Sequence, residues 1–246
     1  MTKQEIIHKR RRLILPGLLF VLAAAFVIYA ADYYRVQPEA LAALESDEVR
    51  VEQTDYGWFF DGPAEDAALI FYPGGKVEET AYAPFLHRLA AEGMDVCLVK
   101  MPLRLAVLRQ NAADAILARY DYERWFIGGH SLGGAVAALY AAEHGGELEG
   151  VILFAAYPTK ALDSGQTELL LYGSEDLILK REALEKGRQF APPRCVEIEI
   201  PGGNHAQFGN YGAQQGDGTA SIDAQSQQEA CVEAICRTFL TQDAAA

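Results

Sequence analysis

Five short runs of the chain, residues 67–73 (AALIFYP), 95–101 (DVCLVKM), 124–129 (RWFIGG), 150–156 (GVILFAA) and 168–173 (ELLLYG), are apolar at successive positions rather than at alternate ones. Strands of that pattern are buried on both faces, as in a parallel sheet covered by helices. Helix-length segments lie between and after them, at 80–92, 103–120, 132–144, 180–190 and 223–241. A further strand is expected at 195–200, and EVRVEQT and GWFFDG upstream read as a hairpin around Asp55, Tyr56 and Gly57. This alternation predicts an α/β fold: a mostly parallel, twisted sheet with helices on both faces. With 246 residues, half of them hydrophobic, the chain is long enough to bury such a core in one domain. No internal repeat or low-complexity block interrupts it, and the glycines of 209–221 mark a loop.

The amino terminus differs in kind. Residues 1–12 carry five basic side chains against one acid, and residues 13–31 (LILPGLLFVLAAAFVIYAA) carry no charge over nineteen positions. A helix of that length spans roughly 28 Å, close to a bilayer's hydrocarbon thickness. Residues 13–31 are therefore expected to anchor the chain as a single transmembrane helix. The basic flank 1–12 would stay cytoplasmic and the domain that follows would lie on the extracytoplasmic side. Cleavage after the small residues around Ala25 or Ala31, as from a signal peptide, is the alternative, and would release a secreted protein. Residues 32–47 read as a polar tether and 48–246 as the domain. Beyond the first twelve residues 16 basic and 33 acidic side chains remain, a net charge of −17. Such a body repels phosphate backbones, which excludes nucleic acid as a partner.

The chemistry is concentrated in FIGGHSLGGAV, residues 126–136. Ser131 stands two residues from Gly129 and from Gly133, after an apolar strand and before a run with Leu132, Val136, Leu139 and Tyr140 at helical spacing. A nucleophile elbow requires that strand, sharp turn and helix, with glycines where the neighbouring backbone crowds the turn. Taken alone the pattern also suits a serine that merely caps a helix. A nucleophilic serine needs a base and an acid to orient the base. Asp176 follows the strand at 168–173 and His205 follows the strand at 195–200, so both fall at the sheet edge that carries Ser131. Glu175 and Asp163 compete for the acid's role. Among the histidines, His8 belongs to the basic flank, His87 and His144 sit in helical runs, and His130 adjoins the serine, which leaves His205 as the base.

Charge developing on a substrate oxygen needs backbone N–H donors. Leu132, next after the serine, is one. FYPGGKVEET, after the first parallel strand, offers the amides of Gly75 and Lys76. GHSLG, Asp176 and His205 past their strands, and YPGGKV in the oxyanion-loop position together resemble the α/β-hydrolase superfamily over residues 48–241. Within it, PGGNHAQFGNYG resembles a small bacterial subgroup. The resemblance implies the α/β-hydrolase fold and the catalytic order serine, acid, histidine. About a dozen residues separate Ala156 from Glu168, too few for a large lid.

The expected activity is hydrolysis of a carboxylic ester through an acyl-enzyme, on a small-molecule or lipid-like acyl substrate, with no cofactor and no metal. An amidase, peptidase or thioesterase would use the same triad, and a non-catalytic binding protein is the reading from another class. Tyr72, Tyr157, Phe208 and Tyr211 are candidates to line the site. In an oxidising compartment a disulfide from Cys195 to Cys231 or Cys236 is open, while Cys97 reads as a small buried hydrophobe.

Overall fold

The structure is a computed structural model that describes residues 20–45, 48–63 and 66–241. The chain divides into two compact units, Met1–Tyr33 and Tyr34–Ala246. In the first, residues 20–31 are helical (α1). The remainder of the expected span, residues 13–19, and the basic flank 1–12 lie outside the described residues. Among the described residues no helix is long and apolar enough to cross a membrane.

The second unit is built on one eight-stranded sheet: β1 Arg50–Gln53, β2 Gly57–Asp61, β3 Ala67–Tyr72, β4 Asp95–Val99, β5 Arg124–His130, β6 Gly150–Phe154, β7 Thr167–Gly173 and β8 Arg194–Ile200. The spatial order is β1-β2-β4-β3-β5-β6-β7-β8. β1 and β2 form the expected antiparallel hairpin, β2 runs antiparallel to β4, and every later pairing is parallel. Double-sided burial is literal in β3: Leu69 and Phe71 enter one core, Ala68, Ile70 and Tyr72 the other. Helices α2 (Ala83–Ala91) and α6 (Ala224–Ile235) cover the first core. The second lies under α3 (Ala112–Leu117), α4 (Leu132–Glu143) and α5 (Arg181–Gly187).

The order reverses at β3, with β4 on one side and β5 on the other. Loops leaving the carboxyl ends of strands at such a switch point diverge and open a crevice. The register Tyr72↔Gly129 sets the end of β3 beside the end of β5, so the PGGK loop and the Ser131 turn start as neighbours.

Local details depart from what the sequence suggests. The single helix expected at 103–120 is broken into turns at Pro102–Arg104 and Ala106–Leu108 before the short α3. Leu103 and Arg104 have φ of 50° and 58°, which ends any helix there. The second compact unit begins at Tyr34, and its turn Pro38–Leu44 packs on α2 with Ala40 buried. No disulfide forms: all four cysteines are free thiols. Cys231 sits in the first core, whereas Cys195 pairs in register with Glu168 on the strand face opposite Leu169 and Leu171. As expected, the link from β6 to β7 carries no inserted cap, since residues 155–166 contain neither helix nor strand.

Candidate active site

Ser131 ends β5 and begins α4 with φ 52° and ψ −120°, a conformation that side chains rarely adopt. Its N–H donates to the Phe154 carbonyl at 2.9 Å and its carbonyl accepts from Ala135 N–H at 3.0 Å, so both ends of the residue are fixed. The flanking glycines answer to sterics. A Cβ on Gly129 would lie 2.4 Å from the Tyr72 carbonyl oxygen and one on Gly133 2.2 Å from the same atom, distances no side chain tolerates.

Asp176 and His205 arrive from β7 and β8. His205 Nδ1 donates to Asp176 Oδ2 at 2.8 Å, with both side chains shielded from solvent. The other carboxylate oxygen, Oδ1, accepts from Ile178 N–H at 2.9 Å and Leu179 N–H at 2.8 Å. Both oxygens are thereby committed, and the proton on Nδ1 leaves Nε2 as the histidine's free acceptor. His205 Nε2 is buried without a hydrogen-bond partner. His205 lines a cleft of about 350 Å³ together with Ser131, Leu132, Ala135, Ala156, Tyr157 and Leu179. Ser131 and the Asp176-bound His205 therefore line one crevice. Glu175 is exposed and accepts from Ser174 Oγ, whereas Asp176 is the carboxylate bonded to His205. Asp163 holds the Gly165 amide instead.

The candidate donors separate cleanly. Lys76 is corrected: its N–H donates to the Arg104 carbonyl at 2.9 Å and is unavailable to a substrate. Gly74 N–H donates to Tyr82 OH at 3.0 Å. Gly75 lies directly against Leu132, since a Cβ on it would stand 2.9 Å from Leu132 Cδ2. The Gly75 backbone and the Leu132 side chain are thus in contact, and the Leu132 amide, at the start of α4, has no intrahelical acceptor.

Several supporting residues escape a sequence reading. Tyr82 OH accepts from Gly74 N–H and donates to His130 Nδ1 at 2.8 Å, while the His130 ring packs 4.5 Å from that of His205. Burial, and then the neighbouring His205, hold the His130 imidazole well below the usual histidine range, so it is a neutral spacer. Buried Gln227 grips the residue before His205 on both sides, accepting from Asn204 N–H at 2.9 Å and donating to its carbonyl at 2.8 Å. Asp217 Oδ2 accepts from Ala206 N–H at 2.9 Å on the other side of the histidine. The only signal of these roles was polar residues, Gln227 and Gln228, at helical positions that face a core. Of the four aromatic candidates only Tyr157 lines the cleft. Tyr72 is buried and bonded to Gln110 and Ala113, and Phe208 and Tyr211 belong to the first core.

No metal-binding group of three or more His, Cys, Asp or Glu side chains occurs among the described residues.

The family model described as alpha/beta hydrolase family matches residues 68–229. No curated protein matches the chain. Among solved structures, a thermophilic esterase, Est2, from the planctomycete Thermogutta terrifontis superposes with a TM-score of 0.52 at 15% identity, covering 81% of this chain and 95% of its own. Thermogutta terrifontis esterase 2 phosphonylated by cyclosarin gives 0.54 at 15%, covering 80% and 96%. TT1662 from Thermus thermophilus gives 0.52 at 19%, covering 75% and 98%. At such identities the likeness is one of fold. The family match, spanning well over half of the sequence and both Ser131 and His205, shows that the chain belongs to the alpha/beta hydrolase family.

Proposed function

We propose that the protein is a serine hydrolase that cleaves carboxylic esters through an acyl-enzyme, with Ser131 as nucleophile, His205 as base and Asp176 as its orienting acid. One observation carries this reading: His205, bound to Asp176 through Nδ1 and unpartnered at Nε2, lines the same cleft as Ser131. Ser131 Oγ attacks the ester carbonyl carbon while its proton passes to His205 Nε2. The carbonyl electrons move onto oxygen, where the Gly75 and Leu132 amides stabilise the charge. As the carbonyl re-forms, the bond to the alcohol oxygen breaks and the alcohol leaves with the proton from Nε2. Water then gives a proton to Nε2 and attacks the acyl carbon, and Ser131 recovers its proton as the carboxylic acid departs.

The cleft supports a small acyl group. Its wall carries three alanines, Ala135, Ala155 and Ala156, and its other apolar lining comes from Leu132, Tyr157, Ile178 and Leu179. Short p-nitrophenyl esters should therefore turn over faster than long ones. A fluorophosphonate probe should label the wild type and not Ser131→Ala. Hydrolysis of matched amides or thioesters in preference to esters would reassign the substrate class. An unlabelled wild type with no turnover would leave a binding protein on a hydrolase scaffold.

We also propose that residues 13–31 anchor this domain on the extracytoplasmic side of a cell membrane, from the uncharged stretch and its basic flank. Fractionation should recover the full-length chain in membranes, and protease added to intact cells should remove the domain. A chain lacking its first residues in the medium would favour cleavage.

A further inference from the structure

The two loops that bear the proposed oxyanion donor and base are both hydrogen-bonded to one backbone segment outside the catalytic set, residues 34–37. Tyr34 N–H donates to the Lys76 carbonyl at 2.8 Å, and its own carbonyl accepts from Glu78 N–H at 2.9 Å, an isolated parallel bridge at Tyr34↔Val77. Val36 N–H donates to Glu78 Oε2 at 3.2 Å. The segment then crosses to the loop after His205. Gln37 N–H donates to the Asn210 carbonyl at 2.8 Å, Tyr34 OH accepts from Gln215 N–H at 3.3 Å, and the Tyr34 and Tyr211 rings lie 5.5 Å apart.

Both loops need such restraint. Lys76 has φ 59°, an unfavourable conformation, and is held at both ends, its N–H on Arg104 and its carbonyl on Tyr34. The Gly75 amide precedes it by one peptide unit. The loop at 209–221 contains four glycines and neither helix nor strand, so little in its own sequence orders it. We propose that Tyr34–Gln37 is a positioning strap that fixes the oxyanion loop relative to the His205 loop, and so sets the catalytic geometry without touching substrate. The inference rests on the assignment of Ser131, His205 and Gly75 above. It gives the lead-in to the domain a part in turnover.

Gln37 offers a test at one atom. Its φ of −73° suits proline, so Gln37→Pro deletes the N–H on Asn210 along with the glutamine side chain, the loss of which Gln37→Ala reproduces by itself. Gln37→Ala keeps that N–H. Full-length wild type and both variants would be compared on the best p-nitrophenyl ester for kcat and KM, for the rate of fluorophosphonate labelling, and for thermal midpoint. For Gln37→Pro, kcat should fall about fivefold or more, the loss of one hydrogen bond at a site sensitive to sub-ångström shifts. KM should stay within about twofold, labelling should slow in parallel, and the midpoint should move by less than about 3 °C. Gln37→Ala should match wild type. Wild-type kcat in Gln37→Pro, or an equal fall in Gln37→Ala, would overturn the strap. Should Gln37→Pro fail to fold, Tyr34→Phe decides, because it removes only the acceptor for Gln215 N–H: a lower kcat at an unchanged midpoint supports the strap and wild-type kcat overturns it. A wild type that neither turns over esters nor takes the label would instead overturn the hydrolase reading, and the strap with it.

Discussion

Glu168 offers a quantitative test of the fold. It sits at the start of β7, 1% exposed, with neither carboxylate oxygen in hydrogen-bonding geometry with a partner. Burial pushes its carboxyl from 4.5 to about 7, and the Cys195 thiol across the strand pair offsets this only in part. The sign follows from which state holds the proton. Below pH 4.5 folded and unfolded chains are both protonated there, and Glu168 makes no pH-dependent difference. Between 4.5 and about 7 the unfolded chain ionises first, so stability falls as pH rises. Above about 7 both states are ionised and the loss levels off. At ~1.4 kcal/mol per pH unit over that window, the full loss is about 3 kcal/mol. Glu168→Gln cannot ionise and keeps the shape. Its thermal midpoint should match wild type near pH 4 and exceed it by roughly 8 °C at pH 8. Melts of both proteins across that range provide the assay. Parallel curves with a constant offset would refute the reasoning, since they would show that Glu168 ionises alike in both states. Because Glu168 lies at the amino end of its strand, away from the cleft, kcat of the folded variant should equal that of wild type.

Three further outcomes follow from the site. In Asp176→Asn, the Ile178 and Leu179 amides still hold the side-chain oxygen. The new NH2 group therefore faces His205 Nδ1 and forces the proton onto Nε2, and kcat should drop by about 10³–10⁴ with little change in midpoint. Tyr82→Phe leaves the Gly74 N–H without its acceptor and His130 Nδ1 without its donor. Denaturant unfolding should show a loss of about 1–3 kcal/mol, and kcat should fall more than KM changes. Gln227→Leu strips the Asn204 N–H and carbonyl of their partner, so unfolding should show about 1–3 kcal/mol lost for each group, with His205 displaced and turnover reduced.

Legibility in the sequence divides along side chain and backbone. The five doubly buried strands and the glycines around Ser131 are readable because sterics and burial act on side-chain identity, position by position. The commitment of Lys76 is not readable, because PGGK says nothing of which amide meets Arg104, and that acceptor comes from a stretch whose composition suits a helix. The boundary at Tyr34 escapes for the same reason: its bonds to Lys76 and Glu78 are main-chain bonds, which no pattern of residue types announces. Tyr82 and His130 lie between these cases. Each is an ordinary core residue by burial, and only their mutual bond and the bond to Gly74 reveal a link from the oxyanion loop to the histidine.

One strand shows why burial alone does not mark a catalytic acid. Glu168 and Asp176 sit at opposite ends of β7, one at its second residue and the other three past its last, and both are nearly inaccessible, at 1% and 3% exposure. Their surroundings differ in donors. Asp176 meets two amides and an imidazole N–H, all of which stabilise a negative carboxylate. Glu168 meets only a thiol, so its charged form is penalised. A carboxylate that must stay ionised to orient a histidine needs the first environment and fails in the second. The loop leaving the carboxyl end of β7 supplies it, because the Ile178 and Leu179 N–H groups turn back onto Asp176. Of the two acids on this strand, Asp176 is the one bonded to His205 and supplied with backbone donors.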